Sequence, residues 1–295
     1  MRVLVTGSQG KVGRWVVQRL HEAGHALYML DKSIEGMPNY GEQITGDVRD
    51  SALMRRLMQG MDAVVHLAAI PNDIPGREEE LLDINLRGTW TILLAAAESG
   101  VGRVVYFSSI NALGQGEPSH TGLYLPLDDD VPHQPVRSYA LSKHIAEEMC
   151  AAFAARGIFS VISLRPTLVT QPGPPEVRWW TQLPGDWVER SLRKDFYSYV
   201  DVRDVAEAAL LSLTAPVQGH RAFLLTAEDN RIHTLTAEIV ASYYPHLPWK
   251  KTSLAAWVGE NPYRTLVDCS AAKQVLGWQP RFSMFDPAAG YDGMG

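Results

Sequence analysis

The sequence predicts an α/β fold, a doubly wound parallel sheet with a small C-terminal lobe, on two observations. Short apolar runs alternate with longer helical patterns as far as residue 166, and such runs are typical of parallel strands buried on both faces. A segment at 167–185, rich in Pro, Gly and Trp and without a clear period, then interrupts the alternation. Because it follows the carboxyl end of a predicted strand, it is well placed to border a ligand crevice.

The alternation can be followed element by element. Apolar runs predict strands at 3–7, 26–31, 62–69, 103–109, 159–166 and 221–226. Helical patterns predict helices at 11–24, 52–60, 78–99, 136–157, 201–213, 234–244 and 270–277. Gly100 and Gly277 are positioned to end two of these helices. Residues 286–295 are predicted to form a weakly ordered tail.

Composition narrows the classes of protein and partner. The 295 residues carry a net charge of −6, which argues against a nucleic-acid partner because such a partner usually requires a basic face. Cys150 and Cys269 offer neither a disulfide framework nor metal-ligand spacing, so no metal site is expected. No apolar run approaches the roughly 18 to 20 residues that span a bilayer, so no membrane association is expected. Since a strand-like run follows Met1 at once, we expect no signal peptide and a cytoplasmic protein.

Three glycines lie between the first predicted strand and the first predicted helix. In VTGSQGKVG, Gly7 permits a tight turn, Gly10 lets the backbone approach a phosphate, and Gly13 lets the helix pack closely on the sheet. A glycine-rich turn can be purely structural. Its location at a strand–helix junction favours a binding site for the pyrophosphate of a nicotinamide dinucleotide, which makes the predicted sheet a Rossmann fold.

An acidic residue closes the second predicted strand. Asp31 lies about 20 residues after the glycine turn, where a carboxylate hydrogen-bonds the adenosine ribose hydroxyls and repels the 2′-phosphate of NADP. This predicts NAD as the cofactor in preference to NADP, unless Asp31 is an ordinary turn-forming aspartate. Lys32 and Arg14 instead favour NADP, because either cation could neutralise a phosphate. Asp47 sits where a following loop could reach the adenine.

Tyr139 and Lys143 are one turn apart on a predicted helix, so their side chains share one face. A nearby ammonium favours the phenolate, lowers the pKa of a tyrosine and makes it a usable acid/base near neutral pH. Many helices contain this spacing by chance. Ser109 ends the preceding strand, where its hydroxyl can orient a substrate oxygen toward the tyrosine. Alternatively, Ser108 and Ser109 have no catalytic role and are simply the polar end of a strand.

Together, the motifs resemble those of a known family. The stretches that carry the resemblance occur in the family's order over nearly the whole chain: TGSQGKVG, Asp31, GDV (46–48), HLAA (66–69), Asn85, YFSS (106–109), YALSK (139–143), LRP (164–166), YVDVRDVAEA (199–208) and LGWQP (276–280). They are similar to the extended short-chain dehydrogenases/reductases, also called the NAD-dependent epimerase/dehydratase family. The combination is specific for fold and cofactor, but not for the substrate.

The resemblance implies roles for individual residues. Ser109, Tyr139 and Lys143 are implied as the catalytic residues of hydride transfer between a secondary alcohol carbon and the nicotinamide. The residues expected at the cofactor are Gly7, Gln9, Gly10, Lys11, Val12, Gly13, Asp31, Lys32, Asp47, Val48, Leu67, Ala68, Ala69, Asn85, Tyr139, Lys143, Pro166 and Leu168. Residues 1–165, joined by 196–229, are expected to form the dinucleotide-binding domain, and 166–195 with 230–295 the small substrate-binding lobe.

Departures from the family's pattern bear on the substrate. The stretch after Arg165-Pro166 lacks the asparagine with which nucleotide-sugar epimerases hold a phosphate, and Ile110-Asn111 replace the acid pair of the dehydratases. Both favour a substrate smaller than a nucleotide sugar. Arg178 either binds a substrate carboxylate, which resembles the uronate dehydrogenase subgroup, or is a surface arginine. The residues expected near the substrate are Asn72, Ser109, Ile110, Asn111, Thr167 and Arg178.

The sequence leaves three functions open. The first is an NAD-dependent oxidoreductase that transfers a hydride between NAD and a secondary alcohol or hemiacetal carbon of a sugar or sugar acid. The second is an NAD-retaining epimerase of a sugar or nucleotide sugar, and the third is a non-catalytic NAD-sensing protein. The resemblance also implies a homodimer through the helices near 78–99 and 136–156, although their apolar faces could equally belong to the core.

Overall fold

The computed structural model describes residues 1–116, 122–173, 192–193, 195–250 and 253–291. Nine strands form within this part of the chain. Seven of them belong to one sheet: β1 (Arg2–Thr6), β2 (Ala26–Asp31), β3 (Gly41–Thr45), β4 (Ala63–His66), β5 (Arg103–Phe107), β6 (Ser160–Pro166) and β9 (His220–Leu225). The other two pair with each other: β7 (Leu168–Thr170) and β8 (Tyr199–Asp201).

The described helices flank and follow the sheet. They are α1 (Lys11–Glu22), α2 (Ser51–Met58), α3 (Glu78–Leu82), α4 (Gly88–Ser99), α5 (Ser138–Ala154), α6 (Val202–Ser212), α7 (Thr236–Tyr243), α8 (Leu254–Val258) and α9 (Ser270–Leu276). A π-helical turn, Asp83–Arg87, joins α3 to α4, so the long helix predicted at 78–99 is one helix with an internal widening. Within the described ranges, no helix is both long and apolar enough to cross a membrane.

The large sheet confirms the predicted fold class. Its order is β3-β2-β1-β4-β5-β6-β9, and every neighbouring pair is parallel. The order of the strands reverses between β1 and β4, so the connections that leave their carboxyl ends diverge to opposite faces of the sheet. In open parallel sheets this divergence opens a crevice at the carboxyl edge, where ligands bind.

Both faces of the sheet are buried, which explains the continuous apolar runs in the sequence. Val3 and Val5 of β1 belong to a core cluster shared with α1 and α6, whereas Leu4 belongs to the cluster shared with α2, α4 and α5. All three side chains are fully buried, and each contributes about 1.5–3 kcal/mol by leaving water.

Several parts of the fold differ from the predictions. The paired strands β7 and β8 and the short helix α8 were not predicted. The edge strand β3 was not predicted, because its sequence GEQIT is polar and only partly buried and so carries no apolar period. The prediction of a weakly ordered tail at 286–295 is wrong for residues 286–291. Tyr291 is only 5% exposed, and its hydroxyl lies 2.7 Å from both Thr170 Oγ1 and Asp201 Oδ2. One buried side chain anchors this segment, and such an anchor leaves no periodic signal.

Candidate active site

One cavity of about 550 Å³ opens at the carboxyl edge of the sheet and extends from the glycine turn to the segment after β6. It brings together sixteen of the sequence-predicted site residues: Gly7, Gly10, Lys11, Val12, Gly13, Leu67, Ala69, Asn72, Ser109, Ile110, Asn111, Tyr139, Lys143, Pro166, Thr167 and Leu168. It does not include Gln9, Asp31, Lys32, Asp47, Val48, Ala68 or Asn85 among its lining residues. Arg178 lies outside the described residues.

The glycine turn is shaped by close approaches that side chains would block. Gly7 has φ +72°, and a Cβ there would lie 2.6 Å from the backbone nitrogen of Ala68. A Cβ on Gly13 would lie 2.1 Å from the carbonyl oxygen of Gly7. Gly10 stands at the N-cap of α1, and among the described residues no side chain caps this helix or places an acid in its first turn. The helix N-terminus therefore presents free N–H groups to an anion in the cavity.

Asp31 lies beside this turn rather than in the wall of the cavity. Its Oδ2 accepts a hydrogen bond from the backbone nitrogen of Gln9 at 2.8 Å, and its Oδ1 accepts one from the backbone nitrogen of Lys32 at 2.7 Å. The carboxylate is thus held at the end of β2, next to the glycine turn. This is the position at which a carboxylate meets the hydroxyls of a ribose.

Asp47 and Val48 are fixed by neighbours outside the cavity. Both oxygens of Asp47 accept hydrogen bonds from the guanidinium of Arg49, at 3.0 and 2.6 Å, and these bonds lower the pKa of Asp47 to about 2. Arg49 also donates to Asp83 at the start of the π-helical turn. Val48 is 6% exposed and packs against Gly88. Both oxygens of the Asp47 carboxylate are therefore occupied by hydrogen bonds from Arg49.

Asn85 acts on the cavity through its neighbours. It is 1% exposed, accepts a hydrogen bond from Ile70 N at 2.8 Å and donates to Ile70 O at 3.1 Å and to Ser142 Oγ at 3.0 Å. These contacts tie the loop after β4 to α5. The widened π-helical turn places this amide, and Asn85 thereby positions the loop that carries Asn72 into the cavity wall.

The three implied catalytic side chains meet in the cavity and are nearly buried. Ser109 and Tyr139 are each 7% exposed and Lys143 is 4% exposed. Lys143 Nζ donates a hydrogen bond to the carbonyl oxygen of Phe107 at 2.6 Å and lies 5.9 Å from the centroid of the Tyr139 ring. The backbone nitrogen of Tyr139 donates to Asp73 Oδ1 at 2.7 Å, which anchors the start of α5 to the loop after β4.

Burial controls the acid–base properties of this group. It raises the pKa of Tyr139 to about 12, against the hydrogen bond with Ser109, and the charge of Asp195 adds to the rise. It lowers the pKa of Lys143 to about 8, against the charge of Glu147. The sequence predicted that Lys143 would lower the pKa of Tyr139. The structure corrects this, because loss of solvent outweighs any such effect and the ammonium is directed to the Phe107 carbonyl.

A buried ionic network begins one helical turn after Lys143. Arg165 Nη2 lies 2.6 Å from Glu147 Oε2, and the two side chains are 5% and 2% exposed. The same Arg165 nitrogen lies 3.2 Å from His133 Nε2. Burial and the charge of Arg165 lower the pKa of His133 to about 4. The network borders a second, strongly polar cavity of about 480 Å³.

Sequence reasoning missed several polar residues of the first cavity. Thr170, Gln171 and Asp195 line it together with the predicted residues. Thr170 and Asp195 lie far apart along the chain and meet here because β7 pairs with β8, with Thr170 in register with Asp201. No spacing or motif in the sequence reports such a pairing.

Comparison with known proteins decides the family. The model of the family described as "NAD dependent epimerase/dehydratase family" matches residues 3–225. The chain belongs to this family. NAD is therefore the cofactor of this epimerase/dehydratase-family enzyme, as the sequence predicted. The site fits it on its own geometry, since the three glycines of the turn line the cavity and the N-terminus of α1, whose positive end favours an anion, lies at the cavity wall.

Individual members to which the enzyme is similar differ in the activities they are named for. "Sterol demethylase protein B" of Methylococcus capsulatus is 27% identical and covers 77% of this chain and 70% of its own length. Uronate dehydrogenase of Pseudomonas syringae pv. tomato is 29% identical over 56% of this chain and only 58% of its own length. The structure of MoeE5 in complex with UDP-glucuronic acid and NAD is 25% identical, has a TM-score of 0.71 and covers 99% of this chain and 97% of that one.

Proposed function

We propose that this enzyme is an NAD-dependent dehydrogenase that oxidises a secondary alcohol or hemiacetal carbon of a sugar or sugar acid. One observation carries the proposal. Ser109, Tyr139 and Lys143 line the same cavity as the glycine turn, so the proposed acid–base group and the proposed dinucleotide site share one cavity. A sensing protein that does no chemistry would not need this group, which argues against the non-catalytic alternative.

Each of the three side chains has a distinct role. In oxidation, Tyr139 Oη as phenolate accepts the proton of the substrate hydroxyl, and in reduction the phenol returns it to the carbonyl oxygen. Ser109 Oγ holds that substrate oxygen. Lys143 Nζ donates one N–H to the Phe107 carbonyl, and its other N–H groups would hold the ribose hydroxyls of bound NAD. Bound NAD supplies the hydride acceptor.

Individual polar side chains in the cavity wall support a sugar-like substrate. The wall includes Asn72, Asn111, Gln171 and Asp195, whose side chains can hydrogen-bond a ligand. A polyhydroxylated substrate can exchange hydrogen bonds with these side chains, whereas an apolar substrate such as a sterol cannot. The relative named uronate dehydrogenase supports the same substrate class.

The test is a screen for NADH formation at 340 nm with neutral sugars, polyols and hexuronates, with NAD and NADP run side by side. The proposal expects NADH with at least one polyhydroxylated substrate and a clear preference for NAD. Interconversion of sugar epimers without net NADH, by protein that is purified with NAD bound, would instead establish the NAD-retaining epimerase. That alternative is supported by the family's inclusion of epimerases.

Asp31 is expected to set the preference for NAD. Replacing it by asparagine removes the carboxylate while keeping the shape, so NAD should bind about 10- to 100-fold more weakly, and NADP should be penalised less. Dissociation constants for both cofactors, measured by quenching of tryptophan fluorescence, check this. The matched control is Asp62→Asn, an exposed aspartate that also accepts a backbone hydrogen bond, from Arg2 N at 2.7 Å. Unchanged NAD affinity in Asp31→Asn would contradict the assignment.

We further propose a homodimer through α4 and α5. Trp90 on α4 and Leu141 on α5 are 46% and 39% exposed, although much of the surface of both helices is packed in the core. Trp90→Glu is expected to weaken dimerisation at least about 30-fold, since buried tryptophans dominate many interfaces. Sedimentation velocity measures this, with Ile158→Glu, equally exposed at 46% but outside these helices, as the control. A stable dimer should form at protein concentrations of about 50–100 μM. Wild-type protein that is still monomeric at these concentrations would contradict the proposal.

A further inference from the structure

The turn before β8 has an unusual backbone. Phe196 and Tyr197 follow each other with φ of +53° and +56°, in the left-handed region that bulky side chains rarely adopt. Two such residues in succession persist only where the surroundings hold them in place. Strain of this kind occurs at sites where a backbone must aim a particular side chain.

Contacts on every side hold this turn. The Phe196 ring stacks on Tyr244 with centroids 5.4 Å apart, and the Tyr197 ring lies 5.1 Å from that of Tyr243. Both residues are at most 1% exposed. The backbone nitrogen of Arg231 donates to Tyr197 O at 2.7 Å. The strained conformation is therefore built into the packing against α7.

The side chain that this turn delivers to the cavity is Asp195. It is 7% exposed and lines the cavity with Tyr139, whose pKa its charge raises. Among the described lining residues, it is the one acidic side chain. Arg231, 6% exposed, lies within electrostatic reach, because the charge of Asp195 opposes the lowering of the Arg231 pKa by burial. The cavity that Tyr139 lines thus also carries a nearly buried carboxylate.

We propose that Asp195 determines substrate specificity: it accepts hydrogen bonds from hydroxyl groups of a neutral, polyhydroxylated substrate and disfavours a substrate that carries a carboxylate. The proposal rests on the dehydrogenase function proposed above. A carboxylate offers about four acceptor positions and no donor, so it complements hydroxyl groups and repels an anion. Charge-assisted hydrogen bonds of this kind are stronger than neutral ones, and they discriminate most where water is excluded.

Asp195→Asn tests the proposal, because the amide keeps the shape and removes the charge. We would measure kcat/KM for D-glucose and D-galactose against D-glucuronate and D-galacturonate, and calorimetric binding of the same compounds to the NADH-loaded protein. The wild type should prefer the neutral member of each pair. Asp195→Asn should shift the ratio toward the uronate at least tenfold, mainly through KM, with the affinity for NAD unchanged.

Two further variants keep the result interpretable. Asp195→Glu retains the charge and should retain the preference for the neutral substrate, and Asp130→Asn removes an exposed aspartate outside the cavity and should change nothing. A wild type that prefers uronates, or an Asp195→Asn variant with an unchanged ratio, overturns the specificity proposal and leaves the dehydrogenase standing. Preferential binding of neutral sugars that Asp195→Asn abolishes, without NADH formation by any substrate, supports the specificity proposal and overturns the dehydrogenase.

Discussion

Replacing Tyr139 by phenylalanine is expected to lower kcat about 10²- to 10⁴-fold, the usual contribution of a positioned acid–base group, while NAD affinity stays nearly unchanged. The substitution removes the one atom that exchanges a proton with the substrate oxygen. Because the ring remains, it preserves the packing of a side chain that is 7% exposed. Steady-state kinetics and tryptophan quenching by NAD measure the two quantities separately.

The pH profile sharpens this prediction. Burial raises the pKa of Tyr139 to about 12, so the phenolate that oxidation needs becomes more abundant as the pH rises toward that value. The rate of oxidation should therefore increase with pH in the wild type, and the remaining activity of Tyr139→Phe should lose this dependence. Tyr28→Phe is the matched control, because its hydroxyl contacts Arg2, away from the cavity. A Tyr139→Phe variant with most of the wild-type kcat would remove the residue from the mechanism.

Replacing Arg165 by methionine is expected to lower the free energy of unfolding at neutral pH by about 3–5 kcal/mol, the cost of breaking a buried ion pair from one side. The guanidinium lies 2.6 Å from Glu147 Oε2 and 3.6 Å from Asp129 Oδ1, so two carboxyl groups lose their cation. Urea denaturation followed by circular dichroism measures the change. Arg55→Met is the control, because its pair with Glu98 is exposed and should contribute little.

The loss should depend on pH with a definite sign. In the wild type, burial raises the pKa of Glu147, but the hydrogen bonds and charge of Arg165 outweigh it and keep the pKa below its ordinary value. Without Arg165, burial is opposed chiefly by the hydrogen bond with Ser108 and the charge of His133. Because burial has the largest effect on this carboxyl, we expect the folded-state pKa of Glu147 to rise above that of the unfolded chain. A carboxyl whose pKa is higher in the folded state than in the unfolded chain destabilises the fold at pH values above the folded-state pKa. At pH values well below the unfolded-state pKa it does not change the stability. The difference between variant and wild type should therefore shrink as the pH falls toward 4 to 5, about the ordinary pKa of Glu.

A double variant separates the ion pair from its packing. Changing Glu147 to leucine as well as Arg165 to methionine removes both charges and should recover part of the lost stability, since an apolar pair of similar volume is often tolerated at such positions. Equal stability of Arg165→Met and the wild type at neutral pH would show that the buried pair contributes nothing.

The features predicted well from the sequence have a local signal. Val3, Leu4 and Val5 are apolar in succession because both faces of β1 are covered, and this shows directly in the chain. A Cβ atom on Gly7 or Gly13 would lie only 2.6 or 2.1 Å from a backbone atom of the protein, so only glycine fits at these two positions. Tyr139 and Lys143 lie one turn apart on a helix whose residues are contiguous in the sequence.

The features that were missed or wrong depend on residues far apart in the chain. The edge strand β3 is recognised only by its pairing with β2, and the buried position of Tyr291 only by its contacts with Thr170 and Asp201. The pKa of Tyr139 is set by the depth at which α5 is buried, which the spacing of Tyr139 and Lys143 does not report.

The sequence by itself determined the parallel α/β fold, the glycine turn and NAD as the cofactor, and it predicted the three side chains that we propose as the acid–base group. Each follows from the period of a single element or from the steric demand of a single turn, and both are properties of neighbouring residues. The tertiary structure alone decided that Asp195 lines the same cavity as Tyr139 and that Arg165 pairs with Glu147. Those contacts form only when the sheet brings distant segments together, because charge and burial at a site are sums over neighbours in space.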